Sequence, residues 1–186
     1  MEDIFNNKKI NNDNDINNNI NDNDNKINLS INNFICNKDK YYCYIIRSSN
    51  PSYQNSTYNG STNNLSRRLR QHNGEISGGA KATRGKGPWV YIAIWEGFTS
   101  YKEALSCEWK IKHPTNQKKR PSQYNGVKGR IKSLNLLIGL DYWTSKSTGM
   151  GLMIENKYNL YIKKELIELI NIENKKKNLE IKNLIL

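Results

Sequence analysis

The chain is predicted to fold as a small α/β sandwich, a three-stranded sheet flanked by helices. Two observations carry this. Three short apolar runs rich in aromatic and β-branched residues, at 41–47, 57–60 and 89–95, read as strands, and the second and third are each followed by a segment with helical spacing and a cap signal. A helical extension is expected beyond them.

The first strand, YYCYIIR, ends where Asn50 and Pro51 mark a loop. The second, TYNG, leads into a helix running to about His72, with Ser61 or Thr62 followed by Asn63 as its cap. Leu65, Leu69 and His72 fall at i, i+4 and i+7, so one stripe of that helix faces inward. Residues 73–88 are glycine-rich and close with Pro88, forming a flexible loop that presents Lys81, Arg84 and Lys86. The run WVYIAIW is apolar enough to be the central strand. Ser100 and Glu103 occupy capping-box positions for a second helix, which Pro114 stops. Residues 127–140 read as an amphipathic helix and 161–186 as a long charged one.

Ahead of this core, residues 1–33 contain fourteen Asn and no sustained period. Too little apolar surface can be buried there to offset ordering entropy, so residues 1–40 are expected to be a disordered leader. The expected organisation is therefore a leader over 1–40, one compact domain over 41–121, and a helical extension of unassigned role over 122–186.

Charge is unevenly placed. The net +12 divides into −2 over residues 1–40, +11 over 41–130 and +3 over the remainder. That concentration is the footprint of a surface for a polyanion, because each neutralised phosphate releases condensed counterions; nucleic acid is the first candidate. Cys36, Cys43 and Cys107 are too few and too scattered for a disulfide framework or a four-ligand zinc site. No run approaches the roughly 18 apolar residues of a membrane span, and a secretory signal is not evident. An intracellular protein with no membrane partner is the expectation.

Phosphodiester hydrolysis needs a positioned water, a group to accept its proton, and cations to absorb charge on the phosphoryl oxygens. Glu108 is the natural metal ligand, a carboxylate on or near a helix stripe that also holds Ala104 and Leu105. A structural salt bridge is the competing explanation for it. One carboxylate with several waters suits Mg²⁺ or Mn²⁺ better than Zn²⁺.

Four stretches, YYCYIIRSSNP, STYNGSTNNLSRRLRQHNGE, GPWVYIAIWEGF and ALSCEWKIKHP, resemble the GIY-YIG nucleases, and within them the catalytic subunit of the Slx-type structure-specific endonucleases. The likeness covers residues 41–121. It implies an antiparallel sheet and a metal-dependent endonuclease acting on branched DNA such as flaps and four-way junctions in repair or recombination. The Asn-rich leader and the lack of later cysteines for a zinc domain fit either a cellular or a viral protein, so the expected site of action is the nucleus if it is cellular, or the viral factory if it is viral. Tyr44 and Tyr58 match the two motif tyrosines; either one contacts or deprotonates the attacking water. Because a free phenol has a pKa of about 10, this requires a nearby cation.

Arg68 falls eight residues after Gly60, where the family places its catalytic arginine. His72, one turn on, matches the family's histidine and either orients a tyrosine or contacts phosphate. Arg67 and Arg70 point to other faces of the helix and are assigned to the nucleic-acid backbone, together with Lys81, Arg84, Lys86 and the run Lys118, Lys119, Arg120. The alternative is a catalytically inactive module that keeps the fold and the same basic contacts.

Departures from the family pattern are three. The leading Gly of the first motif is absent, since Tyr42, Cys43 and Tyr44 stand there. Asn59 replaces a branched apolar residue and must find a polar partner. No cysteine follows Cys107, so the family's cysteine-rich zinc domain is not expected here, and its scaffold partner is not carried over.

Overall fold

Aromatic and β-branched residues build β1 (Tyr41–Ser48), the strand around which the site assembles. The computed structural model describes residues 40–141, 143–144 and 157–185; the Asn-rich leader over residues 1–39 lies outside the described residues. β2 (Thr57–Thr62) runs antiparallel to β1 at the sheet edge, with Gly60 opposite Tyr44 and Tyr58 opposite Ile46. β3 (Trp89–Phe98) pairs antiparallel with the other side of β1.

Instead of three strands the sheet has five, in the order β2-β1-β3-β4-β5. β4 (Tyr158–Ile162) is antiparallel to β3, and β5 (Leu179–Asn183) is parallel to β4. The long helix expected over 161–186 is therefore replaced by two strands with two short helical turns between them, an α-helical one at Lys164–Ile167 and a 3-10 one at Ile172–Asn174. The physical reason is visible in YNLYI: Tyr158, Leu160 and Ile162 are buried while Asn159 and Tyr161 are partly open, a period of two that belongs to a strand. β3 is buried along most of its length and needs a partner on its second edge, which β4 supplies.

The helices are α1 (Leu65–Asn73), α2 (Tyr101–Lys112), α3 (Gly126–Leu137) and the single turn α4 (Lys164–Ile167). α3 forms where an amphipathic helix is expected. The cap of α1 is Asn64, one residue later than expected: its side chain accepts from Arg67 N at 2.9 Å, while Thr62 Oγ1 accepts from Asn64 N. Gly74 ends the helix in the left-handed region at φ 79°. At α2, Ser100 accepts from Glu103 N as a capping box requires, but the Glu103 carboxylate does not return to Ser100. It accepts from Thr99 N, from Thr99 Oγ1 and from the Tyr158 hydroxyl, fully buried.

Side chains alternate across β1 and divide the core between the two sheet faces. Cys43 and Ile45 join Trp95, Ile131, Leu134 and Leu160 under α2 and α3. Tyr42, Tyr44 and Ile46 face the opposite way, against Leu65 of α1, Trp89 and Tyr91.

Candidate active site

The α1 face of the sheet carries most of the expected site. Tyr44 is buried, and its ring lies over Gly60, leaving no room for a side chain there: a Cβ at position 60 would stand 2.7 Å from Tyr44 Cζ. The glycine of the second motif is thus required by the tyrosine of the first.

Arg68 Nε donates to the Tyr44 hydroxyl oxygen at 3.0 Å, and the nearby Tyr58 adds to the upward pull on the guanidinium pKa. Arg68 Nη1 donates to Gln71 Oε1 at 2.9 Å and to the Gly78 carbonyl at 3.0 Å, so the fork is fixed before any substrate arrives. The Tyr44 hydroxyl meets His72 Nε2 at 2.8 Å. His72 Nδ1 meets Thr83 Oγ1 at 3.1 Å, and Thr83 spends its own proton on the Ala80 carbonyl at 2.8 Å.

Those bonds settle the tautomer. Since the Thr83 proton is committed to Ala80, Thr83 Oγ1 accepts from His72 Nδ1–H; His72 Nε2 is then the bare nitrogen and accepts the proton of Tyr44. Burial, with the Arg68 charge second, lowers the pKa of His72 to about 4, so the ring is neutral at pH 7. Tyr44 is pushed above the ordinary phenol range by burial, which outweighs the hydrogen bond and charge of Arg68. The resting state is a neutral phenol donating to a neutral imidazole.

Glu108 approaches from the other side. Alternation along β2 turns Tyr58 and Gly60 toward α1 and sends Asn59 and Ser61 toward α2. Asn59 Nδ2 donates to the Glu108 carbonyl at 3.0 Å, which meets half of what its burial demands, since its Oδ1 has no hydrogen-bond partner among the described residues, and Ser61 Oγ donates to Glu108 Oε2 at 2.9 Å. Because β2 is the edge strand, groups from both faces can meet past it, and the Glu108 charge reaches Tyr44, where it adds to the upward shift. Lys112 Nζ donates to Glu108 Oε1 at 2.9 Å and lies 5.9 Å from the Tyr58 ring centroid.

Glu108 is half-buried at the edge of an apolar stripe made by Ala104, Cys107 and Ile111 of the same helix, whereas Leu105 and Trp109, on its other side, are exposed. Among the described residues no three His, Cys, Asp or Glu side chains gather at one point. A cation on Glu108 would draw most of its ligands from water and substrate, which fits Mg²⁺ or Mn²⁺ and not the closed ligand set of zinc.

Of the expected backbone contacts, Arg67, Lys81, Arg84, Lys118 and Lys119 are exposed, and Lys86 and Arg120 partly so. Arg67 lines a recess of about 520 Å³ with Arg68, Ser61 and Gln71. Arg70 is paired with Glu75 at 3.1 Å, and Arg120 Nε donates to Asn125 Oδ1 at 2.8 Å, so both are partly engaged within the chain.

Sequence reasoning missed Thr83, Gln71, Ser61 and Lys112. Thr83 is held in turn by Trp89, whose Nε1 donates to its carbonyl at 3.0 Å, and the Trp89 amide donates to Asn73 Oδ1 at 2.7 Å. The QHN and GPW segments therefore act on one another and on His72, a linkage their separate positions do not reveal.

A GIY-YIG catalytic domain family matches residues 40–125. Structure-specific endonuclease subunit slx1 of Schizosaccharomyces japonicus is 30% identical over 135 residues, 68% of this chain and 50% of that protein. The Aspergillus niger protein of the same name is 43% identical over 84 residues, covering 44% of this chain and 19% of its own. Human structure-specific endonuclease subunit SLX1 is 43% identical over 72 residues, 38% and 26% respectively. The chain thus spans half or less of the length of these relatives. With the tyrosines, arginine, histidine and glutamate of the motifs gathered about one sheet edge, the chain belongs to the GIY-YIG family, in its Slx-type group.

Proposed function

We propose that this protein is a structure-specific DNA endonuclease that hydrolyses phosphodiesters at branches such as flaps and four-way junctions, with Mg²⁺ or Mn²⁺ as cofactor. The observation that carries the reading is the chain of hydrogen bonds from Arg68 through Tyr44 and His72 to Thr83, built into a basic domain.

The chemistry follows from that chain. Tyr44 oxygen accepts from Arg68 and donates to His72, which leaves one lone pair for the proton of an attacking water. As that proton arrives, the phenol proton passes to His72 Nε2, and the phenol never carries a full negative charge alone. The Arg68 guanidinium compensates developing charge on Tyr44 and, with Tyr58, faces the phosphoryl oxygens. A divalent ion on Glu108, when bound, would neutralise charge on the phosphate and the leaving oxygen. The relatives' designation as structure-specific endonucleases supports the substrate class.

The test is incubation of the full chain with labelled linear, flapped and four-way DNA, with and without Mg²⁺, beside Glu108→Gln. Cleavage confined to branched DNA and to Mg²⁺, and lost in Glu108→Gln with binding retained, supports the reading. Binding with no cleavage in either Mg²⁺ or Mn²⁺ would leave the inactive nucleic-acid-binding module.

A further inference from the structure

Both oxygens of the Glu108 carboxylate are occupied. Oε2 accepts from the Ser61 hydroxyl, a neutral bond that leaves lone pairs free, but Oε1 accepts from the Lys112 ammonium at 2.9 Å. Lys112 stands one turn beyond Glu108, so the pair is internal to α2 and forms without substrate. The Glu108 side chain is 15% exposed and that of Lys112 40%, which puts the carboxylate on the inner side of the pair and the ammonium toward solvent. The same ammonium is within cation–π range of Tyr58, a tyrosine of the site. No step of the proposed reaction uses it.

We propose that Lys112 is a tethered counter-ion which takes the place of the divalent metal on Glu108, and that metal binds by displacing it. This rests on the reading of Glu108 as the metal ligand. A carboxylate that must await its metal is more costly to hold half-buried if it is bare, and an ammonium on a flexible stem satisfies it without blocking later exchange. The same charge opposes the incoming cation. A unit charge roughly 5 Å from a dication weakens its binding by on the order of tenfold even in a watery surrounding. Lys112 is therefore a positioning residue that sets how much metal the site requires.

The experiment is Mn²⁺ titration of the full ¹⁵N-labelled chain without DNA, followed by paramagnetic broadening of the amides of Ser61 and residues near Glu108. Lys112→Gln removes the charge and keeps a hydrogen-bonding group; Lys112→Arg keeps the charge. The expected result is about tenfold tighter Mn²⁺ binding in Lys112→Gln, with Lys112→Arg at the wild-type value and all three chains melting cooperatively. Unchanged affinity in Lys112→Gln, where Glu108→Gln abolishes the local broadening, would overturn the counter-ion role and leave Glu108 as ligand. Broadening that survives Glu108→Gln would instead remove the metal ligand itself, and the proposal with it.

Discussion

Tyr44 stands across the strand pair from Gly60, and its phenol ring fills the volume that any side chain at position 60 would need. Gly60→Ala therefore has to push the Tyr44 hydroxyl off its bonds to Arg68 and His72. A cost of about 1–3 kcal/mol in stability is expected from overpacking. Cleavage should fall by about 100-fold or more, since displacement on the order of 1 Å costs that much in an aligned site. Thermal melting and single-turnover cleavage of a flapped substrate measure the two; wild-type cleavage would mean Tyr44 is not held against Gly60 during turnover.

Thr83→Val keeps the shape of the side chain and removes the oxygen that accepts from His72 Nδ1–H. The imidazole is then free to carry its proton on Nε2, where it faces the Tyr44 proton and can no longer accept it. A 10- to 100-fold loss of cleavage at unchanged DNA affinity is expected, about the scale of one misdirected proton acceptor. Equal rates in Thr83→Val and wild type would show that the Thr83 bond does not govern the tautomer.

The lowered pKa of His72 has a sign that melting can check. The unfolded chain protonates this ring near pH 6.5, the folded chain only near 4, so between those values the unfolded state binds more protons. Stability is complete above about pH 6.5 and is lost as pH falls toward 4, by about 1–2 kcal/mol for a group not wholly sealed from water. Wild type should lose more of its melting temperature between pH 7.5 and 5.0 than His72→Gln. Parallel losses would mean the ring is not kept neutral by the fold.

That Tyr44, Tyr58, Arg68 and His72 lie together is legible in the sequence because they ride on regular elements: β1, β2 and one face of α1. Arg68 and His72 share a face whatever the exact helix boundary, and Asn64 in place of Asn63 as cap does not disturb it. Glu108 was harder to read. A carboxylate sunk in apolar surroundings is a better description of Glu103, which is buried and spends its oxygens on Thr99 and Tyr158. The capping position accounts for one oxygen of Glu103, which accepts from Thr99, but its other oxygen is explained only by Tyr158 on a strand 55 residues away. That strand was itself concealed: YNLYI alternates over just five residues and runs straight into KKELIELI, whose stronger helical spacing carries the reading with it.

Exposed cations should show themselves in salt dependence. Lys81 and Arg84 project from the loop whose turn holds Thr83, and neither has an ion-pair partner within 4 Å among the described residues. Lys81→Ala and Arg84→Ala should each reduce the slope of log affinity against log salt by about 1, alike for linear and branched DNA. Arg70, already paired with Glu75, should change it less. A slope unaffected by either loop substitution would place the DNA backbone elsewhere on the basic surface.

Residues 157–185 complete the core of the catalytic fold and do not stand apart from it. Tyr158, Leu160, Ile162, Leu166, Ile170 and Leu179 all lie in the same apolar cluster as Cys43, Trp95 and Cys107, and β4 closes the open edge of β3. Burying an apolar side chain of this size contributes about 1.5–3 kcal/mol. Losing six of them removes on the order of 10 kcal/mol, as much as the whole stability of a typical domain. The Tyr158 hydroxyl adds a polar reason, because without it one oxygen of buried Glu103 loses its donor. A chain ending at residue 141 should therefore fail to melt cooperatively and should exchange its β3 amides rapidly with solvent, although every motif residue is present. A cooperative melt and protected β3 amides in that truncation would show that three helices and three strands suffice.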